Sequence, residues 1–108
     1  MKKDGKKMKE IINKTMEYLM KNYPQKQSVN VHICEGYDCI QSEDGIGFGV
    51  FVPSTLGIYI VTDVPEPETT LIQTTAHEYK HFMQYCEGKP FDEEEAEAFA
   101  FMIISKMK

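Results

Sequence analysis

Arginine is absent from this 108-residue chain, and its twelve lysines are unevenly placed. Residues 1–26 hold eight of them against three acids, whereas the rest of the chain sets four lysines against fourteen acids. An acidic body lacks the basic surface that nucleic-acid binding requires, so no nucleic-acid partner is expected. The lysine-rich start reads as the solvated face of a helix. No apolar run approaches the roughly 20 residues that span a bilayer, so no membrane span is expected. Nor does an apolar stretch follow the N-terminal lysines, as a secretory signal would need. A cytoplasmic location is the resulting expectation. Cysteine is scarce and odd in number, three in all, which is no basis for a disulfide framework. Cys34 and Cys39 have C-x4-C spacing, but no second thiol pair accompanies them, and a four-thiolate structural zinc is not expected. The pair fits a disulfide-closed turn or half a metal site, but in a cytoplasmic compartment it reads as reduced thiols. No internal repeat, linker or low-complexity tract interrupts the chain, and its length suggests one domain over residues 1–108 with a thin core.

The elements that are present can be placed by their periodicity. From Lys7 to about Tyr23, Met8, Ile11, Ile12, Thr15, Met16, Leu19, Met20 and Tyr23 recur at helical spacing, and Pro24 ends the run. Ser28 to Glu35 alternates, with Val29, Val31 and Ile33 on one face and Asn30, His32 and Cys34 on the other, as in a half-buried strand. His32 on that polar face reads as an exposed residue. Gly36 to Gly45 is a loop. Gly47 to Val52 and Ile58 to Val61 are two further strands, joined through a Pro53-Ser54-Thr55 turn into a hairpin. The glycines at 47 and 49 do not form a phosphate loop, because no G-K-[ST] follows. They fit either a strand beside which another backbone approaches closely or a bulge.

Pro65 and Pro67 then introduce a second helix, with Pro67 in its first turn and Gly88 just beyond its end. This helix carries Thr75-Ala76-His77-Glu78-Tyr79-Lys80-His81, an H-E-x-x-H sequence. Each helical residue turns about 100°, so His77 and His81 lie on one face, one turn apart. They are placed to bind one divalent ion, and Glu78 projects close by, where it can reach a water on the metal. That is the pattern of a zinc metallopeptidase. The apolar residues Leu71, Ile72, Ala76, Tyr79, Phe82 and Met83 form a stripe beside the histidines, which argues against two unrelated surface histidines.

A catalytic zinc takes three protein ligands, so a third is required. The nearest supply is the acidic start of the last helix, Asp92-Glu93-Glu94-Glu95, where Asp92 and Glu95 also fit a capping box. Spacing alone does not choose among these glutamates. The segment Glu93-Glu94-Glu95-Ala96-Glu97-Ala98-Phe99-Ala100 resembles the E-x-x-A-D-x-F-A pattern that follows H-E-x-x-H in gluzincin metallopeptidases. The likeness extends to the catalytic domains of membrane peptidases of the HtpX type. At full length the chain is similar to the soluble minigluzincins. The resemblance implies that Glu93 is the third zinc ligand and that Glu97, in place of the usual Asp, supports a ligand histidine. It also implies an α+β fold: a minimal zincin-like domain with an N-terminal helix, a small, mostly antiparallel sheet of about three strands, the H-E-x-x-H helix and a C-terminal glutamate helix. One Zn2+ per chain is the implied cofactor.

The expected activity is zinc-dependent endopeptidase action on a peptide or protein substrate, with Glu78 as general base. An edge strand, either Gly47–Val52 or Ile58–Val61, would align the peptide. Tyr85, Tyr59 and His32 are unranked candidates for a further donor to the oxyanion. Minigluzincins can be latent, with a C-terminal segment covering the cleft. The apolar run Ala96–Ile104 needs more burial than a thin domain supplies, so a homodimer through this helix is expected. A non-catalytic zinc-binding regulatory module on the same scaffold is the alternative, and a relic that needs a partner subunit is a third. Metal binding alone gives Glu78 no role, which favours the enzyme.

Overall fold

A computed structural model describes residues 2–34 and 48–108. Helix α1 (Lys2–Asn22) buries Ile12, Thr15, Met16 and Leu19 on one face. It begins five residues before the expected Lys7, because an apolar stripe marks only the part of a helix that packs. Lysine has good intrinsic helix propensity and carries the element further. Three strands follow: β1 (Asn30–Cys34), β2 (Gly49–Val52) and β3 (Gly57–Val61). The remaining helices are α2 (Pro67–Cys86) and α3 (Glu93–Met107).

The α+β class is as expected, with three helices and one three-stranded sheet among the described residues. The sheet itself is mixed rather than mostly antiparallel. Its order is β1-β3-β2. β2 and β3 form the expected antiparallel hairpin, with Phe51 opposite Ile58. Between them, the Leu56 N–H donates to Pro53 O at 3.2 Å, and Leu56 takes a left-handed φ of 51°. β1 lies on the other side of β3 and runs parallel to it, with Val31 opposite Ile58. Alternation of side chains reports which face of a strand is buried but not which strand it pairs with or in which direction. One consequence bears on the site: β3 is central and offers no free edge. This removes Ile58–Val61 as a peptide-aligning strand and leaves β2.

α2 is shared by every layer, packing on α1, α3, β2 and β3. Pro67 occupies its first turn as expected, behind Glu66 in a left-handed conformation (φ 45°). Its C-terminus closes in a Schellman motif. Gly88 N–H donates to Tyr85 O at 3.0 Å, Lys89 N–H donates to Gln84 O at 2.9 Å, and Gly88 has φ +72°. Ile12, Leu19, Ile58, Ile60, Leu71, Tyr79, Phe82 and Ile103 form the centre of the core. The buried Tyr79 keeps its hydroxyl satisfied by donating to Tyr23 O at 2.8 Å, which ties α2 to the end of α1.

α3 opens as the capping pattern predicts in one half only. Asp92 Oδ1 accepts from Glu95 N–H at 3.1 Å. The Asp92 N–H donates to Gln84 Oε1 instead of to Glu95. The apolar run of α3 has two faces: Ala96, Phe99, Ala100 and Ile103 are buried within the protomer, whereas Phe101 and Met102 are exposed. The C-terminus is pinned to the start of α2, with Lys108 Nζ 2.8 Å from Thr69 Oγ1 and 3.3 Å from Glu68 Oε1.

Cys34 is disulfide-bonded, not a reduced thiol; Cys86 is the free cysteine among the described residues. Cys39 and the loop from Gly36 to Gly45 lie outside the described residues. Among the described residues, no helix is long and apolar enough to cross a membrane.

Candidate metal centre

α2 sets His77 and His81 one turn apart, with ring centroids 4.9 Å from each other. His81 is buried and His77 partly so. α3 crosses over them and brings Glu93 from its first turn. Glu93 Oε1 lies 2.9 Å from His77 Nε2, and Glu93 Oε2 lies 3.1 Å from His81 Nε2. One ligating atom from each of the three residues falls within 4.8 Å of the others, a group able to hold a metal ion. Of the acids at the start of α3, Glu93 alone meets both rings.

The other ring nitrogens decide what this group can do. His77 Nδ1 is 3.0 Å from Glu97 Oε1. A carboxylate only accepts, so Nδ1 carries the proton and donates. His81 Nδ1 is 2.9 Å from Gln84 Oε1. The orientation of that amide is settled on its far side. Gln84 Oε1 accepts from the Asp92 N–H at 3.1 Å, and Gln84 Nε2 donates to Asp92 O at 3.2 Å and to Glu95 Oε1 at 2.8 Å. An oxygen therefore faces His81, and its Nδ1 also donates. With both Nδ1 atoms so engaged, both Nε2 atoms face the Glu93 carboxylate, an arrangement that either protons on the rings or one shared metal ion can bridge. Two imidazole nitrogens and one carboxylate are the donor set and count of a catalytic zinc site.

Glu78 stands beside this group, 8% exposed. Burial pushes its carboxyl up to about 7; the neighbouring Glu93 adds to the rise, while His81 and a hydrogen bond from the Phe51 backbone oppose it. Glu78 also touches β2: a Cβ built on Gly49 would sit 3.3 Å from Glu78 Cγ and only 2.6 Å from Thr74 Cγ2. Glycine is what allows the strand to lie this close to α2.

The histidines, Glu78, Glu93 and Glu97 line one cleft of about 810 Å³. Phe48, Gly49, Val50 and Phe51 form its strand wall, and Phe91 its aromatic rim. Phe91 lies 5.2 Å from the His81 ring and 6.1 Å from Phe51. Among the described residues, Glu97 is the last along the chain that lines the cleft.

The structure thus brings together His77, His81, Glu78, Glu93 and Glu97. His32 is exposed on β1 and stacks on Tyr59 at 4.5 Å, away from the cleft. Tyr85 packs on Phe51 at 5.8 Å without lining the cleft. None of these three candidate oxyanion donors therefore lies in the cleft wall. Sequence reasoning missed Gln84 and Phe91. Gln84 follows His81 by three residues and so shares its helix face, a signal that was present; Phe91 sits in a short connection where spacing carries no information. No family model, curated protein or solved structure matches the chain.

Proposed function

We propose that the chain is a zinc-dependent metalloendopeptidase of the gluzincin type, with one Zn2+ held by His77, His81 and Glu93. The observation that carries this reading is the pair of oriented imidazoles, each with Nδ1 committed to an acceptor and Nε2 turned to Glu93, beside a buried carboxyl. When bound, zinc supplies Lewis acidity toward a water and a carbonyl oxygen. Glu78 is the proton carrier: it takes a proton from the attacking water and delivers it to the leaving amine. A module that only stores metal gives this buried acid no role.

The substrate is a peptide or protein chain. β2 is an edge strand that lines the cleft. Among the described residues no further strand pairs with its outer side, which suits it to take an extended peptide beside Glu78, itself bonded to the Phe51 backbone. The same reading includes association of two copies through α3, supported by the exposed Phe101 and Met102. Light scattering that finds only monomer at high concentration would remove that part.

The test is zinc per chain by elemental analysis, alongside hydrolysis of a casein-derived peptide mixture. Wild type is expected to hold close to one zinc and to cleave. Glu93→Ala should lose the zinc. Glu78→Gln should keep the zinc and lose cleavage. A wild-type protein that cannot be loaded with zinc would overturn the reading.

A further inference from the structure

Gln84 is fully buried, 1% exposed, at the end of α2, and its amide makes four hydrogen bonds. Two of them engage both backbone groups of Asp92, the residue immediately before Glu93. A third reaches Glu95 Oε1 and the fourth receives the His81 Nδ1 proton. Glu93, by contrast, is three-quarters exposed, and its polar contacts are with the histidines. Its place therefore depends on how the start of α3 is held.

We propose that Gln84 is a positioning residue of the metal centre. It sets the proton of His81 on Nδ1 and also fastens the turn that delivers Glu93, so one side chain registers two of the three ligands. The inference rests on the metal site proposed above and assigns it an organising residue on α2. The two histidines are thereby oriented from different directions: His77 by Glu97 on α3, His81 by Gln84 on its own helix. Because the Asp92 backbone settles which way the amide points, a mere contact filler of the same size cannot replace it. An apolar side chain would leave the Asp92 N–H and the His81 Nδ1–H without acceptors in a buried place.

The test uses the full chain. Zinc affinity is read by competition with a chromophoric chelator, and ligand geometry by the visible absorption of the cobalt-loaded protein. Both are measured at a temperature where circular dichroism shows the variant folded. Gln84→Met is expected to bind zinc about 10- to 100-fold more weakly, the usual loss when a partner of a metal ligand is removed, and to change the cobalt spectrum. The exchanged pair Gln84→Glu with Glu95→Gln keeps an acceptor for the His81 Nδ1–H and the Asp92 N–H and reverses the bond to position 95, at the loss of the donor to Asp92 O. It is expected to bind zinc more tightly than Gln84→Met and to bring the cobalt spectrum back toward that of wild type. A role in stability alone would lower the melting temperature of the methionine variant and leave both metal readouts unchanged, which overturns the proposal. So does an exchanged pair that folds but binds as weakly as Gln84→Met.

A measurement on zinc-loaded wild type needs no variant. Long-range proton–nitrogen spectra should show His81 protonated at Nδ1, with slow exchange against water; an unprotonated Nδ1 refutes the assignment. Wild type that takes up no zinc at all would instead defeat the metal reading beneath it, so the two failures are distinguishable.

Discussion

Glu97 Oε1 lies 3.0 Å from His77 Nδ1, on the opposite edge of the ring from Glu93. Its second oxygen is 3.4 Å from Gln73 Nε2, a weaker contact that leaves the carboxylate aimed at the histidine. Removing it frees the ring to rotate and to exchange tautomers. Glu97→Ala is expected to weaken zinc binding about 10- to 100-fold, with Glu97→Gln, which keeps an acceptor oxygen, losing less. Calorimetric titration of zinc into the metal-free protein measures both.

Glu78 contributes no atom to the metal group, so its removal separates binding from chemistry. Glu78→Gln should leave zinc affinity near that of wild type and lower peptide hydrolysis by about 10²- to 10⁴-fold, the range for a general base. Single-turnover cleavage followed by mass spectrometry gives the rate. Hydrolysis at the wild-type rate would show that another group takes the proton.

Gly49 and Gly88 call for glycine on different grounds, and alanine should distinguish them. At Gly49 a Cβ would meet Thr74 Cγ2 at 2.6 Å and the Tyr59 carbonyl oxygen at 3.1 Å, so β2 or α2 must move. Overpacking of this kind costs about 1–3 kcal/mol, and each kcal/mol lowers the melting temperature of a small domain by about 4–8 °C. At Gly88 nothing lies within 4 Å of the added Cβ, and only the φ of +72° resists it. That conformation costs an alanine about 1 kcal/mol. Thermal unfolding should rank Gly49→Ala as the more damaging, and only Gly49→Ala should also disturb the cleft beside Glu78.

Cys86 offers a pH-dependent reading of the fold. Burial pushes its thiol above the ordinary value of 9.0, and the charge of Glu87 adds to the rise, against a hydrogen bond from the Gln27 backbone. A raised value means that the folded state favours the protonated thiol. This group therefore withdraws stability as the pH climbs past its unfolded value. The thiolate is the nucleophile, so at pH 9 iodoacetamide should alkylate Cys86 more slowly in native protein than in denaturant. Mass spectrometry of the modified peptide follows the two rates; equal rates would contradict the burial.

Much of the site was legible in the chain because its components are local. His77, Glu78 and His81 keep their spacing wherever the helix goes, since a rise of 1.5 Å and a turn of 100° per residue are properties of the backbone. Pro67, Gly88 and Asp92 mark helix ends through their own backbone and side-chain chemistry, and each acts where expected. The third ligand was not legible in that way. Glu93, Glu94, Glu95 and Glu97 are equivalent by composition, and resemblance to a family pattern was needed to prefer Glu93 and Glu97. The bonded state of Cys34 was not decided by the sequence, because spacing between two cysteines does not fix the distance between them.

What the sequence alone determined, then, is the set of elements and the face each buries: apolar periods of 3.6 and 2, with proline and glycine at the breaks. Tertiary structure decided how those faces meet. It placed β1 parallel to β3, which left β2 as the edge along the cleft. It laid α3 across α2 with Ala76, Ala96 and Ala100 fully buried. It also brought Glu93 and Glu97 to the histidines from among glutamates that composition leaves alike. The reason is physical: distances within one helix are set by its hydrogen bonds, whereas distances between helices are set by which side chains pack at the crossing.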